Sequence, residues 1–485
     1  MAGIDEYREQ RIKKMEQLKE KGMNPYPYKF DISHTSSDIF ENQEKLIQDK
    51  TEVSIAGRIM LMRRQGKTTF IKIKDRKGLI QLYITINLLG DEYENVKLLD
   101  IGDIIGVKGE VFVTHRGETT VAVKKMEVLA KSLLPLPEKY HGIQDVELKY
   151  RKRYLDLIMN DDTRHTFLLR RDIIKFIRDY LDQRDFVEVE TPVLQPRYGG
   201  AFAKPFLTHH NALDMDLYLR ISDELYLKRL IVGGLERVYE IARDFRNEGI
   251  DKTHNPEFTM IEIYQAYADY YDMMDLVQNL IQEMAKKILG KTKIEYSGHE
   301  IELNGSWERI DYYEAIKKFA NIDVRKMDDD ELKKFCDEHE IDIEGKIGRG
   351  KIIDEIFSEM VEKNIINPTF VINQPKEISP LAKIHRDDET KVERFELLIL
   401  GTEYANAFSE LNDPIDQRKR FEYQMELRKE GEMEVQEIDE DYLEAMEYGM
   451  PPTGGIGIGI DRLVMLLTNR ETIKDVILFP LLKAR

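Results

Sequence analysis

Two hydrophobic periodicities divide the chain. From Glu52 to about Leu134, apolar and polar residues alternate in short runs broken by turn residues: Val53-Ser-Ile-Ala-Gly-Arg-Ile-Met, Thr69-Phe-Ile-Lys-Ile-Lys, Leu79-Ile-Gln-Leu-Tyr-Ile, Ile104-Ile-Gly-Val-Lys-Gly-Glu-Val and Thr120-Val-Ala-Val. Alternation by two predicts strands, and five of them within about eighty residues predict a small Greek-key barrel of the OB type. Residues 4–22 ahead of it read as a helix closed by Gly22, with Pro25 and Pro27 beyond. Pro135-Leu-Pro and the charged run Lys149-Tyr-Arg-Lys-Arg-Tyr suggest a hinge over 141–160. Helical spacing follows over about Asp161–Arg184. Next comes Phe186-Val-Glu-Val-Glu-Thr-Pro-Val-Leu, an alternating strand whose Pro192 confines it to an edge or a bulge and suits it to a subunit interface. Strand-like alternation returns over 215–265 and 393–412, and about 305–390 reads as a helical insertion. The expected class is α+β, divided as 1–50 lead-in helix, 51–140 barrel, 141–160 hinge and 161–485 main domain.

Composition narrows the class. The 485 residues are 42% hydrophobic and 34% charged, enough for two or three domains with cores of their own. No apolar run approaches the roughly 20 residues that span a bilayer. Met1–Lys21 lacks the apolar segment of a signal peptide, so a cytoplasmic location is expected. Cys336, the single cysteine, excludes an intramolecular disulfide and a cysteine-based zinc cluster. The net charge of −18 argues against a generic nucleic-acid binder, but it is uneven. Residues 1–140 hold 24 Lys+Arg against 21 Asp+Glu, and the remainder 49 against 70. Met62–Lys77 carries seven basic residues and one acid, either a local grip on a polyanion or a solvated hairpin. The basic residues of the first helix (Arg8, Arg11, Lys13, Lys14, Lys19, Lys21) leave the same two options.

Three stretches carry candidate chemistry. In Gly454-Gly-Ile-Gly-Ile-Gly-Ile-Asp-Arg462, isoleucines alternate with glycines, as in a buried strand with a bare face against which a ligand can lie. Asp461 reads as the N-cap of the following helix and Arg462 as a cation in its first turn, opposed by the helix dipole unless a phosphate lies beside it. Val238-Tyr-Glu-Ile-Ala-Arg-Asp-Phe-Arg-Asn-Glu248 pairs naturally with the strand that begins at Phe258, across a polar loop holding His254 and Asn255. The alternation then gathers Glu240, Asp244, Arg246 and Glu248 with Phe258, Glu262 and Tyr264. A second hairpin across Gly401-Thr402 places Glu396 and Glu403 on apolar strands, where carboxylates need either a metal or a basic partner. Gly345, Gly348 and Gly350 are not followed by Gly-Lys-Ser/Thr, so no P-loop is expected, and no dinucleotide fingerprint follows an early strand.

Taken together these stretches resemble class II aminoacyl-tRNA synthetases. Asp244-Phe-Arg-Asn-Glu-Gly with His254-Asn-Pro-Glu-Phe-Thr is similar to their motif 2, Gly455-Ile-Gly-Ile-Gly-Ile-Asp-Arg to motif 3, and the helix and strand ending at Pro192 to motif 1, the dimer interface. An N-terminal barrel is where the aspartate/asparagine/lysine subclass keeps its anticodon-binding OB domain. His209-His-Asn-Ala-Leu-Asp-Met-Asp-Leu-Tyr-Leu-Arg, Glu224-Leu-Tyr-Leu-Lys-Arg-Leu, Phe258-Thr-Met-Ile-Glu-Ile-Tyr-Gln-Ala-Tyr-Ala-Asp and Asn406-Ala-Phe-Ser-Glu-Leu-Asn-Asp resemble the lysine-specific, bacterial-type branch, with Ala407 where many members have glycine.

The resemblance implies a C-terminal domain with a mainly antiparallel sheet flanked by helices. It implies activation of L-lysine by ATP to lysyl-adenylate, then transfer to the 3′ end of tRNA(Lys), by a homodimer with no membrane association. Arg246 and Arg462 would be catalytic. ATP would meet Arg246, Glu248, His254, Asn255, Phe258 and Arg462. Lysine would meet Gly200, Glu224, Glu262, Tyr264, Asn406, Phe408 and Glu410, and Mg²⁺ would be held by Glu396 and Glu403. Phe70 would stack an anticodon base, with Gln81, Glu118 and Arg58 around it. A carboxylate substrate would instead call for Lys or Arg in place of Glu224 and Glu262, which disfavours the aspartate and asparagine branches.

Overall fold

The computed structural model describes residues 2–137, 146–343, 348–429 and 437–483. The chain separates into two compact units, Met1–Gln144 and Asp145–Arg485. None of the described helices is long and apolar enough to cross a membrane.

In the first unit, helix α1 (Ala2–Glu20) precedes strands β1 (Glu52–Gln65), β2 (Thr68–Lys74), β3 (Leu79–Thr85), β4 (Ile104–Val113) and β5 (Thr119–Ala130). They close into a barrel in the order β1-β2-β3-β5-β4, the five-stranded closure expected of an OB-type fold. The alternation works as read. Ile71, Ile73, Ile80, Leu82, Val121 and Val123 fill the interior, and Phe70, Lys72, Gln81 and Tyr83 face outward. Two of the basic residues of α1 do neither of the things expected, while Arg8, Lys13 and Lys19 stay exposed. Arg11 donates to Ser132 O (2.8 Å), Leu134 O (3.0 Å) and Ile101 O (3.1 Å), and Lys14 pairs with Asp100 at 2.5 Å. These cations dock the helix on its own barrel, because carbonyls left bare at a strand end need donors.

The second unit is organised by helix α2 (Asp161–Asp182), strand β6 (Val187–Glu188), helix α3 (Glu224–Val232), the hairpin β7 (Arg237–Phe245) and β8 (Glu257–Ala266), and helix α4 (Tyr270–Met284). Strands β9 (Glu308–Asp311), β10 (Thr369–Ile372), β11 (Arg394–Ile399), β12 (Thr402–Ser409) and β13 (Thr453–Gly459) follow, then helix α5 (Ile460–Thr468). One sheet runs β9-β10-β11-β12-β13-β8-β7-β6, antiparallel except at its two outermost pairs. Ile173 and Ile177 of α2, Met273 and Val277 of α4, and Leu463 and Val464 of α5 bury their apolar stripes in the core with the sheet residues Ile261, Ile263 and Ile458. The β11–β12 turn sits at Leu400 (φ 48°) and Gly401 (φ 65°), the double left-handed geometry that suits a two-residue hairpin.

Four expectations need correction. Of the hinge, residues 141–145 lie outside the described residues, and 146–159 form two short helices of the second unit. There Arg153, fully buried, pairs with Asp156 at 2.8 Å and donates to Leu478 O and Lys474 O, so a charged run that looks like a linker is an anchor. The segment 186–194 is not one strand. Val187–Glu188 joins the main sheet, Leu194–Gln195 joins a separate three-stranded sheet, and Pro192 lies in the break, where no N–H is needed. The insertion is not wholly helical, since β9 and β10 extend the main sheet and its helices surround a core of their own at Tyr312, Cys336, Ile356 and Phe357. Finally, Asp461 does not cap α5, which starts one residue earlier; its carboxylate accepts from Thr259 N (2.7 Å) and pairs with Arg170 (2.5 Å). Gly345 lies outside the described residues.

Candidate active site

Strand register assembles the site. Glu240 faces Glu262, Glu262 faces Gly457, Gly457 faces Asn406 and Asn406 faces Glu396, a row across five strands. The adjacent row runs Val238, Tyr264, Gly455, Phe408 and Arg394. Residues two apart share a face, so these rows form one patch of the sheet with glycine at its middle. Over it opens a cavity of about 400 Å³.

The cavity brings together the residues expected for ATP (Arg246, Glu248, His254, Asn255, Phe258, Arg462) and the two expected for metal, Glu396 and Glu403. Gly200, Glu224, Glu262, Tyr264, Asn406 and Phe408 line it too. Glu410 does not line it. Its buried carboxylate packs against the bare backbone of Gly455, where a β-carbon would collide with both Glu410 and the Tyr264 ring. The space at Gly455, expected for a ligand, is thus filled by the chain itself. Gly200 has φ 85°, and a side chain there would run into Ser222 and Glu224, so the loop needs glycine on both counts.

Buried carboxylates dominate one wall. Glu262, 5% exposed, accepts from Ser222 Oγ (2.8 Å) and Tyr264 OH (2.9 Å). Burial and the neighbouring Asp244 push its carboxyl up, against the hydrogen bonds that pull it down. Asp223, behind it and fully buried, is pushed well above the carboxylate range by burial and by Glu262. Asp244 is pushed up to about 6 by burial, with Arg220 and Arg246 opposing. Arg220, which sequence reasoning missed, pairs with Glu240 (2.6 Å) and Asp244 (3.3 Å) beneath the hairpin. Lys228 was missed as well. It is wholly buried, 2.5 Å from Glu224 and in contact with Glu410. Its spacing of four from Glu224 on a helix is the signal that was available.

Elsewhere the cavity carries cations and more acids. The Arg246 guanidinium lies 5.0 Å from the Phe258 ring centre, and its Nε donates to Ile221 O at 3.4 Å. Arg462 donates to Glu403 O (2.7 Å) and approaches its carboxylate at 3.6 Å. Arg462 also lies 3.1 Å from His254 Nε2, which must accept, so Nδ1 carries the proton toward Asp251 at 2.8 Å. Burial would raise Asp251, but hydrogen bonds from His254 and the loop N–H groups hold it at about 2. Glu396 pairs with Arg394 at 2.6 Å, yet burial, with Glu403, Asp354 and Glu362 nearby, pushes it up to about 8. Glu362 and Asp354 come from the insertion, and no local pattern announces that their charges act on Glu396.

On the barrel, Phe70 packs with Tyr83 (ring centres 5.3 Å) and Tyr83 with Phe112 (5.7 Å). Gln81 donates to Thr120 Oγ1 at 3.0 Å, and Glu118 pairs with Lys72 at 2.6 Å. Lys72 faces Gln81 in register, so Phe70, Gln81 and Glu118 share one patch. Arg58 lies across from Lys74, and its guanidinium is taken by Gly102 O at 2.7 Å, so the structure does not bring it into that patch. Tyr83 and Phe112 were not foreseen, although Tyr83 falls on a predicted strand and Phe112 directly after one.

Two families match the chain. That described as tRNA synthetases class II (D, K and N) covers residues 145–483, and that described as OB-fold nucleic acid binding domain covers 53–129. Among curated relatives, a lysine--tRNA ligase of Carboxydothermus hydrogenoformans is 55% identical over 98% of this chain and 97% of its own length. Those of Oceanobacillus iheyensis (51%; 99% of each chain) and Bacillus subtilis (50%; 97% and 96%) are similar throughout. With the sheet, the cavity and the barrel already in place, these matches make the chain a member of the class II tRNA synthetases of the D, K and N group, with an OB-fold nucleic-acid-binding domain at its N-terminal side.

Proposed function

We propose that this protein activates L-lysine with ATP and transfers it to the 3′ end of tRNA(Lys). The observation that carries this reading is a single cavity in which buried carboxylates, Glu224 and Glu262, share walls with Arg246 and Arg462. A buried ammonium requires anionic partners, and phosphates and a carboxylate require guanidinium forks; lysine and ATP together supply both demands. Glu262, Glu224 and Tyr264 hold the substrate ammonium, Phe408 covers the aliphatic stem, Asn406 closes the side, and the Gly200 backbone meets the α-amino group. Arg246 bridges the lysine carboxylate and the α-phosphate, Phe258 stacks the adenine with Glu248 and Asn255 at its edge, and Arg462 with His254 grips the distal phosphates.

The attacking carboxylate is already an anion, so activation needs no protein base. It attacks the α-phosphorus in line, pyrophosphate leaves, and the arginines neutralise the charge that builds up. Glu396 and Glu403 fit a divalent cation: both line the cavity and offer hard carboxylate oxygens, with the charges of Glu362 and Asp354 near Glu396. Mg²⁺ held there would offset phosphate charge. The lysyl group then passes to the terminal ribose of the tRNA.

The barrel reads the anticodon, with Phe70 stacking and Gln81 and Glu118 at base edges. Phe70→Ala is expected to weaken tRNA charging by about 1–3 kcal/mol. It leaves tRNA-free activation untouched, a split seen by comparing aminoacylation with pyrophosphate exchange. We place the enzyme in the cytoplasm as a homodimer joined through the Pro192 region; exposed Val187, Val193 and Leu194 beside that proline support the interface.

The deciding experiment is ATP–pyrophosphate exchange with each amino acid, Mg²⁺ and no tRNA. Exchange with lysine alone is expected. Exchange with aspartate or asparagine instead would overturn the pocket assignment.

A further inference from the structure

We infer that Lys228 is a specificity-determining residue, whose ammonium, locked between Glu224 and Glu410, sets how deep a substrate ammonium can enter the pocket and how much negative charge it meets there. The inference rests on lysine activation as proposed above.

Lys228 lies on α3 one turn after Glu224, fully buried, with Nζ 2.5 Å from Glu224 Oε1, in contact with Glu410, and 5.2 Å from the Phe408 ring centre. Burial alone would favour loss of its proton, but the two carboxylates outweigh burial and keep it charged. Glu224 and Phe408 also line the cavity, so the chain holds an alkylammonium of its own directly behind the place that takes one from solution. Two consequences follow. Lys228 is shared by Glu224 and Glu410, whose carboxyls burial pushes up, which leaves Glu262 as the carboxylate without an internal cation. A substrate ammonium that reaches past Glu224 meets a fixed like charge, whereas a shorter one stops short of Glu262. Chain length is therefore measured between an attractive and a repulsive group, which discriminates better than an apolar wall that senses one methylene.

The test uses the full-length protein in lysine-dependent pyrophosphate exchange. Lys228→Met leaves Glu224 and Glu410 facing each other, and the lysine KM is expected to rise by about 10²-fold while the ATP KM stays where it was. The substrate homologue one methylene longer should gain on lysine. Lys228→Arg keeps the charge but makes the cation bulkier, and should move preference toward ornithine. An unchanged lysine KM in the folded Met variant overturns the inference, as do parallel losses for lysine and ATP. If Lys228→Met does not fold, an unchanged ornithine-to-lysine ratio in Lys228→Arg overturns it equally. A wild-type protein without lysine-dependent exchange would remove the parent reading. A wild type that exchanges with lysine, beside a variant that does so equally well, removes only this one.

Discussion

Arg246→Ala is expected to lower lysine-dependent pyrophosphate exchange by roughly 10³-fold, the cost of removing a fixed charge from the developing transition state. The geometry isolates that effect. Arg246 sits just beyond β7 with its backbone N–H bonded to Pro256 O at 2.9 Å, a link the substitution keeps. Its side chain makes one long hydrogen bond, covers the face of Phe258 and lends charge to the buried Asp244, so the folding control matters. The loss should fall on kcat as well as KM, because the contact strengthens as charge builds at phosphorus. Single-turnover formation of adenylate, with circular dichroism as the folding control, measures it. A folded variant that keeps more than about a tenth of the rate would show that phosphate charge is met elsewhere.

Gly455→Ala carries the second large effect, and here the ligand is never touched. An added methyl collides with the Glu410 carboxylate and the Tyr264 ring, two groups wedged against bare backbone. Tyr264 cannot retreat without giving up its 2.9 Å hydrogen bond to Glu262. Displacement of about an ångström at a binding carboxylate costs about 10²-fold, and it should appear as a raised lysine KM with the ATP KM held. Lysine and ATP titrations of the exchange rate separate the two. Equal losses for both substrates would mean that the methyl disturbs the sheet at large and not the ammonium site.

What could be read in advance follows from the range of the interactions. The barrel strands, the β7–β8 and β11–β12 hairpins and the helix after Gly459 were legible because period and turn chemistry are local. Once β13 joins the two hairpins, their register places Glu262, Tyr264, Asn406, Phe408 and Glu396 on one surface. What escaped was long-range. Arg153 looks like linker charge until the C-terminal segment supplies its carbonyl partners. Glu362 and Asp354 come near Glu396 only through a helical insertion whose flanking strands join the sheet. Lys228 is one basic residue among many until Glu410, far along the chain, closes on it. Charged residues are the hardest to place because solvent is their default, and only a partner distant in sequence reveals burial.

The sheet also has an order of assembly written into it. Strand β13, near the end of the chain, lies between β8 and β12, so the middle of the sheet is the last part to be synthesised. Until Thr453–Gly459 emerges from the ribosome, each of the two hairpins flanking its place presents a row of unpaired N–H and C=O groups. Such edges invite pairing with other chains, and closing them requires contacts distant in sequence, which are slow to form. A nascent chain halted before residue 453 should therefore hold a folded barrel beside an open, adhesive half-sheet. A protein that supplies the ribosome with charged tRNA would itself be exposed to stalled translation.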